Sequence, residues 1–248
     1  MAAGEHKVMD EGTWAIETKG LTKSFSGHRV LRGIDIRVAR GESVVIFGPN
    51  GAGKTTLIKI LATIMNPTSG VFLVNGLSAR DSAEAIRRSI GVITHQTYLY
   101  GTLTAHENLE FYCRLYDVPD PEDRIEELAA LVGLASRLHD RVGTFSRGMQ
   151  QRLSIARALL HHPSVMLLDE PETGLDQQAV MILRDALRAV TGQRPSIVLT
   201  THNLERGLEL SDRLLILAQG KIAYERPTRA IDLAGLREAY CECTGVRL

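Results

Sequence analysis

The sequence predicts an α/β fold: a central parallel sheet, an antiparallel β-layer on one flank and an inserted α-helical block. Three observations carry that expectation. A short apolar, β-branched run, Ser43-Val44-Val45-Ile46-Phe47, leads through a glycine-rich loop into residues Thr55 to Met65, where Leu57, Ile60, Leu61 and Ile64 recur at helical spacing. Two more runs, Val165-Met166-Leu167-Leu168 and Ser196-Ile197-Val198-Leu199-Thr200, are continuously apolar, as strands covered on both faces are. Between these strands, from about residue 105 to 162, the pattern becomes helical.

Taken in chain order, residues 14 to 19 and 34 to 38 alternate apolar and polar in the way of exposed antiparallel strands. Val71-Phe72-Leu73-Val74 does the same before a turn at Asn75-Gly76. In the helical block Leu109, Tyr112 and Tyr116 share one face, and Ile125, Leu128, Ala129 and Val132 share another. A further helix is expected from about 178 to 190, with Val180, Leu183, Leu187 and Val190 on one side. No internal repeat or low-complexity linker interrupts the series.

At 248 residues and 44% apolar content the chain can bury a sizeable core. Lys+Arg and Asp+Glu both number 29, so there is no general electrostatic pull toward nucleic acid, and none is expected as a partner. The start, Met1-Ala2-Ala3-Gly4-Glu5-His6-Lys7, is polar and lacks the apolar core of a signal peptide; residues 1 to 13 are expected to be flexible. No run approaches the length of a membrane span, so the chain is expected in the cytoplasm unless a partner holds it at a membrane. Three cysteines, Cys113, Cys241 and Cys243, are an odd number and predict free thiols. Cys241-Glu242-Cys243 resembles half a metal site but has no second Cys/His pair nearby.

The glycine loop has chemistry of its own. Gly48-Pro49-Asn50-Gly51-Ala52-Gly53-Lys54-Thr55 fits G-x-x-x-x-G-K-[ST], between the strand and helix that the pattern requires, and Thr56 follows it in the expected nucleotide set. The glycines let successive N–H groups turn inward onto an anion, and the helix N-terminus adds partial positive charge. Lys54 is expected to reach the β- and γ-phosphates and Thr55 to offer its hydroxyl to Mg²⁺. The chain is therefore expected to bind ATP or GTP as a P-loop NTPase with a RecA-like parallel core. Leu167-Leu168-Asp169-Glu170-Pro171 adds two acids at a strand end, where ligands of open α/β sheets sit. Asp169 suits a Mg²⁺ ligand and Glu170 a general base for water.

Phe145-Ser146-Arg147-Gly148-Met149-Gln150-Gln151-Arg152 precedes that acidic strand and resembles the signature motif of ATP-binding cassette (ABC) ATPases. Residues 14 to about 224 can be laid onto that family in order, and a cassette spanning 14–243 is expected, with a helical subdomain at about 97–162. The resemblance implies ATP hydrolysis coupled to transport. It implies adenine stacking on Phe25, Mg²⁺ and permease contacts by Gln96, an aspartate loop at Gly174-Leu175-Asp176, and support of the γ-phosphate by His202. Ser146 and Gly148 would face the nucleotide of a second copy, so a dimer closing over two ATP is implied. Arg147 and Met149 depart from the family's Leu-Ser-Gly-Gly-Gln; Arg147 is expected to be exposed and neutral in effect, with help to the phosphate across the dimer interface as the alternative, and Met149 to lack a hydrogen bond to ribose.

Thr97-Tyr98-Leu99-Tyr100-Gly101-Thr102-Leu103-Thr104 is unusually aromatic for a connection. It reads either as the docking surface for a transmembrane permease or as tyrosines packed within the helical block. The runs Ile93 to Tyr100, Thr104 to Leu109, Phe145 to Arg152 and Glu170 to Asp176 are also similar to heme exporter subunits of bacterial cytochrome c maturation. Drug, lipid and polysaccharide exporter cassettes carry close variants, and a soluble non-transport cassette ATPase is the remote alternative. As a transport subunit the chain is expected at the cytoplasmic face of the cell membrane, held peripherally by its permease.

Overall fold

The computed structural model describes residues 14–171 and 194–246; Asp176 and the helix expected over 178–190 lie outside the described residues. Strands β1 (Trp14–Phe25) and β2 (His28–Ala39) form a hairpin whose Ser26-Gly27 turn has both φ values positive, at 47° and 82°. β3 (Ser43–Phe47) feeds α1 (Lys54–Leu61), and β4 (Ser69–Val74) and β5 (Leu77–Ser78) close a second hairpin at Asn75-Gly76, as the sequence predicts. Then follow α2 (Ala83–Ser89), β6 (Ile90–Ile93), α3 (Ala105–Tyr116), α4 (Pro121–Leu131) and α5 (Arg147–Leu159). The described chain closes with β7 (Val165–Asp169), β8 (Ser196–Thr200), α6 (Leu204–Leu210), β9 (Arg213–Ala218), β10 (Lys221–Pro227) and α7 (Leu233–Thr244).

Two sheets result. One is antiparallel, β2-β1-β4-β5; the other runs β10-β9-β3-β8-β7-β6, parallel throughout except for its β9–β10 edge pair. Every residue of β3, β7 and β8 is buried, which explains their continuous apolar runs. Alternate residues divide between two cores. Val45, Phe47, Met166 and Leu168 point to the helical side with Leu109, Ile125 and Leu153, whereas Val44, Ile46, Val165 and Leu167 join Ile16, Leu31 and Leu57 on the other.

Local chemistry sets the element ends. Thr104 and Glu107 form a reciprocal capping box at the start of α3, and Pro121 opens α4. α1 stops four residues before the expected Met65 because Thr63 turns left-handed at φ 58°, and the N–H groups of Thr63 and Ile64 bond back to Ile60 and Lys59. α5 likewise ends at Leu159 rather than His162, since His162 takes φ 50° and Pro163 follows. β1 does not alternate as expected: Ala15, Ile16, Glu17 and Thr18 are all buried. It is an inner strand, Thr18 Oγ1 donates to the Ile34 carbonyl at 2.9 Å, and Arg37 covers Glu17 at 2.9 Å. The strands β6, β9 and β10 and the helices α2 and α7 have no counterpart in the sequence reading.

Candidate nucleotide site

Two glycines fix the path of the loop between β3 and α1. A Cβ on Gly48 would lie 2.3 Å from the Leu217 carbonyl oxygen, and one on Gly53, at φ 109°, would lie 2.7 Å from Leu31 Cδ2. The loop is therefore pressed against β9 and β2. Lys54, 5% exposed, folds back along it, and its Nζ donates to the carbonyls of Gly48 at 2.7 Å and Pro49 at 3.2 Å. The same Nζ lies 3.6 Å from Glu170 Oε1.

Sheet order brings the acids to this loop. Parallel register pairs Asp169 at the end of β7 with Thr200 at the end of β8, one strand from β3. Thr200 Oγ1 donates to Asp169 Oδ1 at 2.7 Å, and Thr55 Oγ1 donates to the same oxygen at 3.2 Å. Asp169 is buried to 2% exposure, and Oδ1 accepts from both hydroxyls. Glu170 leaves the strand with φ 46°, uncommon for a residue with a side chain, and its N–H is held by the Thr200 carbonyl at 3.0 Å. That turn aims the carboxylate sideways, with Oε1 toward Lys54 and Oε2 3.9 Å from Nδ1 of His202, whose ring is largely exposed.

These groups surround a cleft of about 520 Å³ lined by residues 50 to 56 with Val30, His95, Arg147, Asp169 and Glu170. Not every expected residue lines it. Phe25 stands at the tip of the β1–β2 hairpin, 43% exposed, with Lys23 Nζ 5.1 Å from its ring centre. The Gln96 side chain is exposed beside the cleft, while its backbone is pinned by Thr94: Oγ1 accepts from Gln96 N–H at 3.1 Å and donates to the Gln96 carbonyl at 2.8 Å. Gln151 Nε2 donates to the Thr94 carbonyl at 3.2 Å, tying this loop to α5. Ser146 caps α5 by accepting from Met149 N–H at 3.2 Å; neither Ser146 nor Gly148 borders the chain's own cleft.

Arg147 is exposed, as expected, and also forms part of the cleft wall. Its side chain starts from the first residue of α5, which the loops after β6 and β7 face. Thr200, His95 and Val30 were not foreseen. Thr200 could have been noticed as a hydroxyl at the end of a strand neighbouring Asp169, and His95 as the neighbour of Gln96; Val30 has no sequence signal. For a divalent cation the chain offers the oxygens of Thr55 and Asp169, and no cluster of three or more His, Cys, Asp or Glu exists among the described residues. Few, hard oxygen donors beside a phosphate loop fit Mg²⁺, which keeps waters and shares substrate phosphates.

A glycine loop after a central strand, with a carboxylate pair one strand beyond its neighbour, defines a P-loop nucleoside triphosphatase. A family model described as "ABC transporter" matches residues 31–173, and the chain belongs to that family as an ATP-binding subunit with ATPase activity. It is 36% identical over 199 residues to the ABC transporter ATP-binding protein NatA of Bacillus subtilis (strain 168), covering 79% of this chain and 81% of that protein. It is 37% identical to the Nod factor export ATP-binding protein I of Rhizobium meliloti (88% of this chain, 66% of that protein). With the daunorubicin resistance ATP-binding protein DrrA3 of Streptomyces coeruleorubidus it shares 36% (85% and 67%). Among solved structures, an ATP-binding subunit of an ABC transporter superposes with a TM-score of 0.83 at 30% identity, covering 92% of this chain and 99% of that one. A dimeric ATP-binding cassette in a post-hydrolysis state with ADP and Pi gives 0.79 at 26% identity, covering 87% and 100%.

Proposed function

We propose that this chain hydrolyses ATP for an ABC exporter, working as two cassettes closed over two Mg-ATP and docked on a separate permease at the cytoplasmic face of the cell membrane. The observation that carries the reading is the meeting of Lys54, Thr55, Asp169 and Glu170 in one cleft at the ends of β3 and β7. Lys54, held by loop carbonyls, is placed to exchange them for β- and γ-phosphate oxygens. Thr55 and Asp169 would hold Mg²⁺ with Gln96 approaching from its loop; when bound, the ion neutralises phosphate charge. Glu170 takes the proton from the attacking water, and His202, on the far side of its carboxylate, steadies the γ-phosphate. Phe25 stacks on adenine, and Asp176 with the partner copy's signature turn, Ser146 and Gly148, completes the composite site. The solved dimer with ADP and Pi supports the two-copy arrangement.

No helix among the described residues is long and apolar enough to cross a membrane, and we assign the membrane path to the separate permease. The tyrosine segment after Gln96 serves as its dock: Tyr98 and Tyr100 are 40% and 49% exposed. Tyr98 borders a groove with Ile64, Tyr112, Tyr116, Arg157 and His161, and Tyr100 packs edge-on against the exposed ring of Phe111. For cargo, the likeness to heme exporters gains no support from the relatives named above, and export of a drug or polysaccharide-type molecule fits them better. Reconstitution with the membrane protein encoded beside this chain tests both levels. Turnover stimulated by daunorubicin and not by heme is expected; stimulation by heme alone would restore the heme reading, and failure to join any membrane protein would remove the transport role.

A further inference from the structure

We propose that Gln151 is a positioning residue for this ATPase: through Thr94 it sets where the Gln96 side chain stands, and so how fully the chain completes its Mg²⁺ site. This rests on the reading of Gln96 above and goes beyond it by naming what aims that side chain. β6 is an edge strand of the larger sheet, so every second carbonyl points away from its neighbour β7 and needs a partner elsewhere. α5 supplies three. His161 Nε2 donates to the Ile90 carbonyl at 2.9 Å, Arg157 Nη2 to the Val92 carbonyl at 2.7 Å, and Gln151 Nε2 to the Thr94 carbonyl at 3.2 Å.

The third contact differs from the other two. β6 ends at Ile93, so Gln151 reaches past the strand onto the loop that carries Gln96. Gln151 is 4% and Thr94 3% exposed, so the bond is made out of reach of water, where a lost partner is costly. Thr94 passes the constraint on. Its Oγ1 accepts from the Gln96 N–H at 3.1 Å and donates to the Gln96 carbonyl at 2.8 Å, so one hydroxyl holds both backbone polar groups of that residue and leaves only its exposed side chain to move. Gln150, one residue earlier, uses its amide differently: Nε2 donates to the Phe145 carbonyl at 3.2 Å and the Val142 carbonyl at 3.4 Å, bracing the turn before α5. Of the two adjacent glutamines, Gln151 is the one that governs the Gln96 loop. Mg²⁺ demands near-ideal octahedral placement of its oxygens, so a ligand whose stem is held by hydrogen-bonded neighbours binds it better than one that wanders.

The test is calorimetric titration of the full chain with a non-hydrolysable ATP analogue, in Mg²⁺ and in EDTA, at concentrations where light scattering shows a monomer. Gln151→Met keeps the length of the side chain but not its donor, and is expected to weaken binding of the Mg²⁺ complex about tenfold, as lost support of a metal ligand does, with binding in EDTA unchanged. Thr94→Val removes the linking hydroxyl and should do the same. Because both act through Gln96, neither should weaken the Mg²⁺ complex further once Gln96→Ala is present. Equal losses in Mg²⁺ and EDTA, a full additional loss on the Gln96→Ala background, or no loss from Gln151→Met where Gln96→Ala shows one would overturn the proposal and leave Gln151 as packing alone. Wild-type affinity for the Mg²⁺ complex in Gln96→Ala would instead remove Gln96 from the metal, and the positioning role with it.

Discussion

The phosphate cleft and the tyrosine-lined groove are both hollows of this chain, yet they are finished to different degrees. In the cleft the buried polar groups answer one another: Lys54 has two carbonyls, and Asp169 has two hydroxyls. In the groove, Arg157 lies between the rings of Tyr98 and Tyr112, 5.7 and 5.2 Å from their centres, and gives Nη2 to the Val92 carbonyl. Its Nε, and Nδ1 of His161, are buried without a hydrogen-bond partner. Burying such groups costs roughly 1 to 3 kcal/mol each, so the groove is stabilised less than it could be while the cleft is set for its ligand. The difference teaches that the cleft's buried polar groups are answered within the chain, whereas the groove keeps two that are not.

Four substitutions or conditions would break or sharpen that contrast. The largest effect belongs to Glu170→Gln, which keeps shape but removes the base: turnover should fall about a hundredfold to ten-thousandfold, with ATP binding retained and a Mg-ATP dimer accumulating on gel filtration. Near-normal turnover would take the base role from Glu170. Next, Lys54→Ala should weaken ATP by about 1.5 to 3 kcal/mol, the worth of a charge-assisted contact; unchanged affinity by calorimetry would mean the cleft is not organised around that lysine.

On the other side of the comparison, Tyr98→Ala should leave nucleotide affinity alone and weaken co-purification with the membrane subunit, by about 1 to 2 kcal/mol if Tyr98 anchors the interface. Equal recovery with wild type would show that the groove is not the dock. The smallest effect is one of pH. Burial, above all, pushes the His161 imidazole down to about 4, aided by the nearby cations Arg157, Arg124 and His162 against the Ile90 carbonyl. The unfolded chain takes up this proton below its ordinary pKa near 6.5, while the folded chain resists until about 4. The stability from neutral His161 is therefore full above pH 6.5 and drains as pH falls toward 4. Comparing Tm at pH 7.5 and 5.0, His161→Gln should lose a few degrees less than wild type, with about 2 to 4 °C per kcal/mol at this size; parallel losses would remove His161 as the cause.

Much of the cleft could be read from the sequence because its chemistry is local. Residues 48 to 55 carry their own context, and Asp169-Glu170 directly follows an apolar strand. Thr200 could not be read in the same way, since its bond to Asp169 depends on β7 and β8 being neighbours in parallel register. β6 and β10 were overlooked because β6 is a four-residue run and β10 has an exposed, polar edge, whereas β9, with Leu214 to Ala218 continuously apolar, carried the same signal as β7 and was missed all the same. Arg147 shows the limit most plainly. Its residue type left an idle surface cation and a phosphate contact both open, and only the folded placement of α5 puts it on the cleft wall. The groove was half legible, as an aromatic segment whose Tyr98 and Tyr100 prove exposed rather than packed inside the helical block.

The alternation of β3 between two cores has an evolutionary consequence. Val45 and Phe47 serve the helical side and Val44 and Ile46 the other, so the two layers are lined by different side chains of the same strand. Heritable change on the helical side can follow a diverging membrane partner without disturbing the layer that carries the β1–β2 hairpin. The strand thus acts as a partition: the packing of each core rests on a different set of β3 side chains.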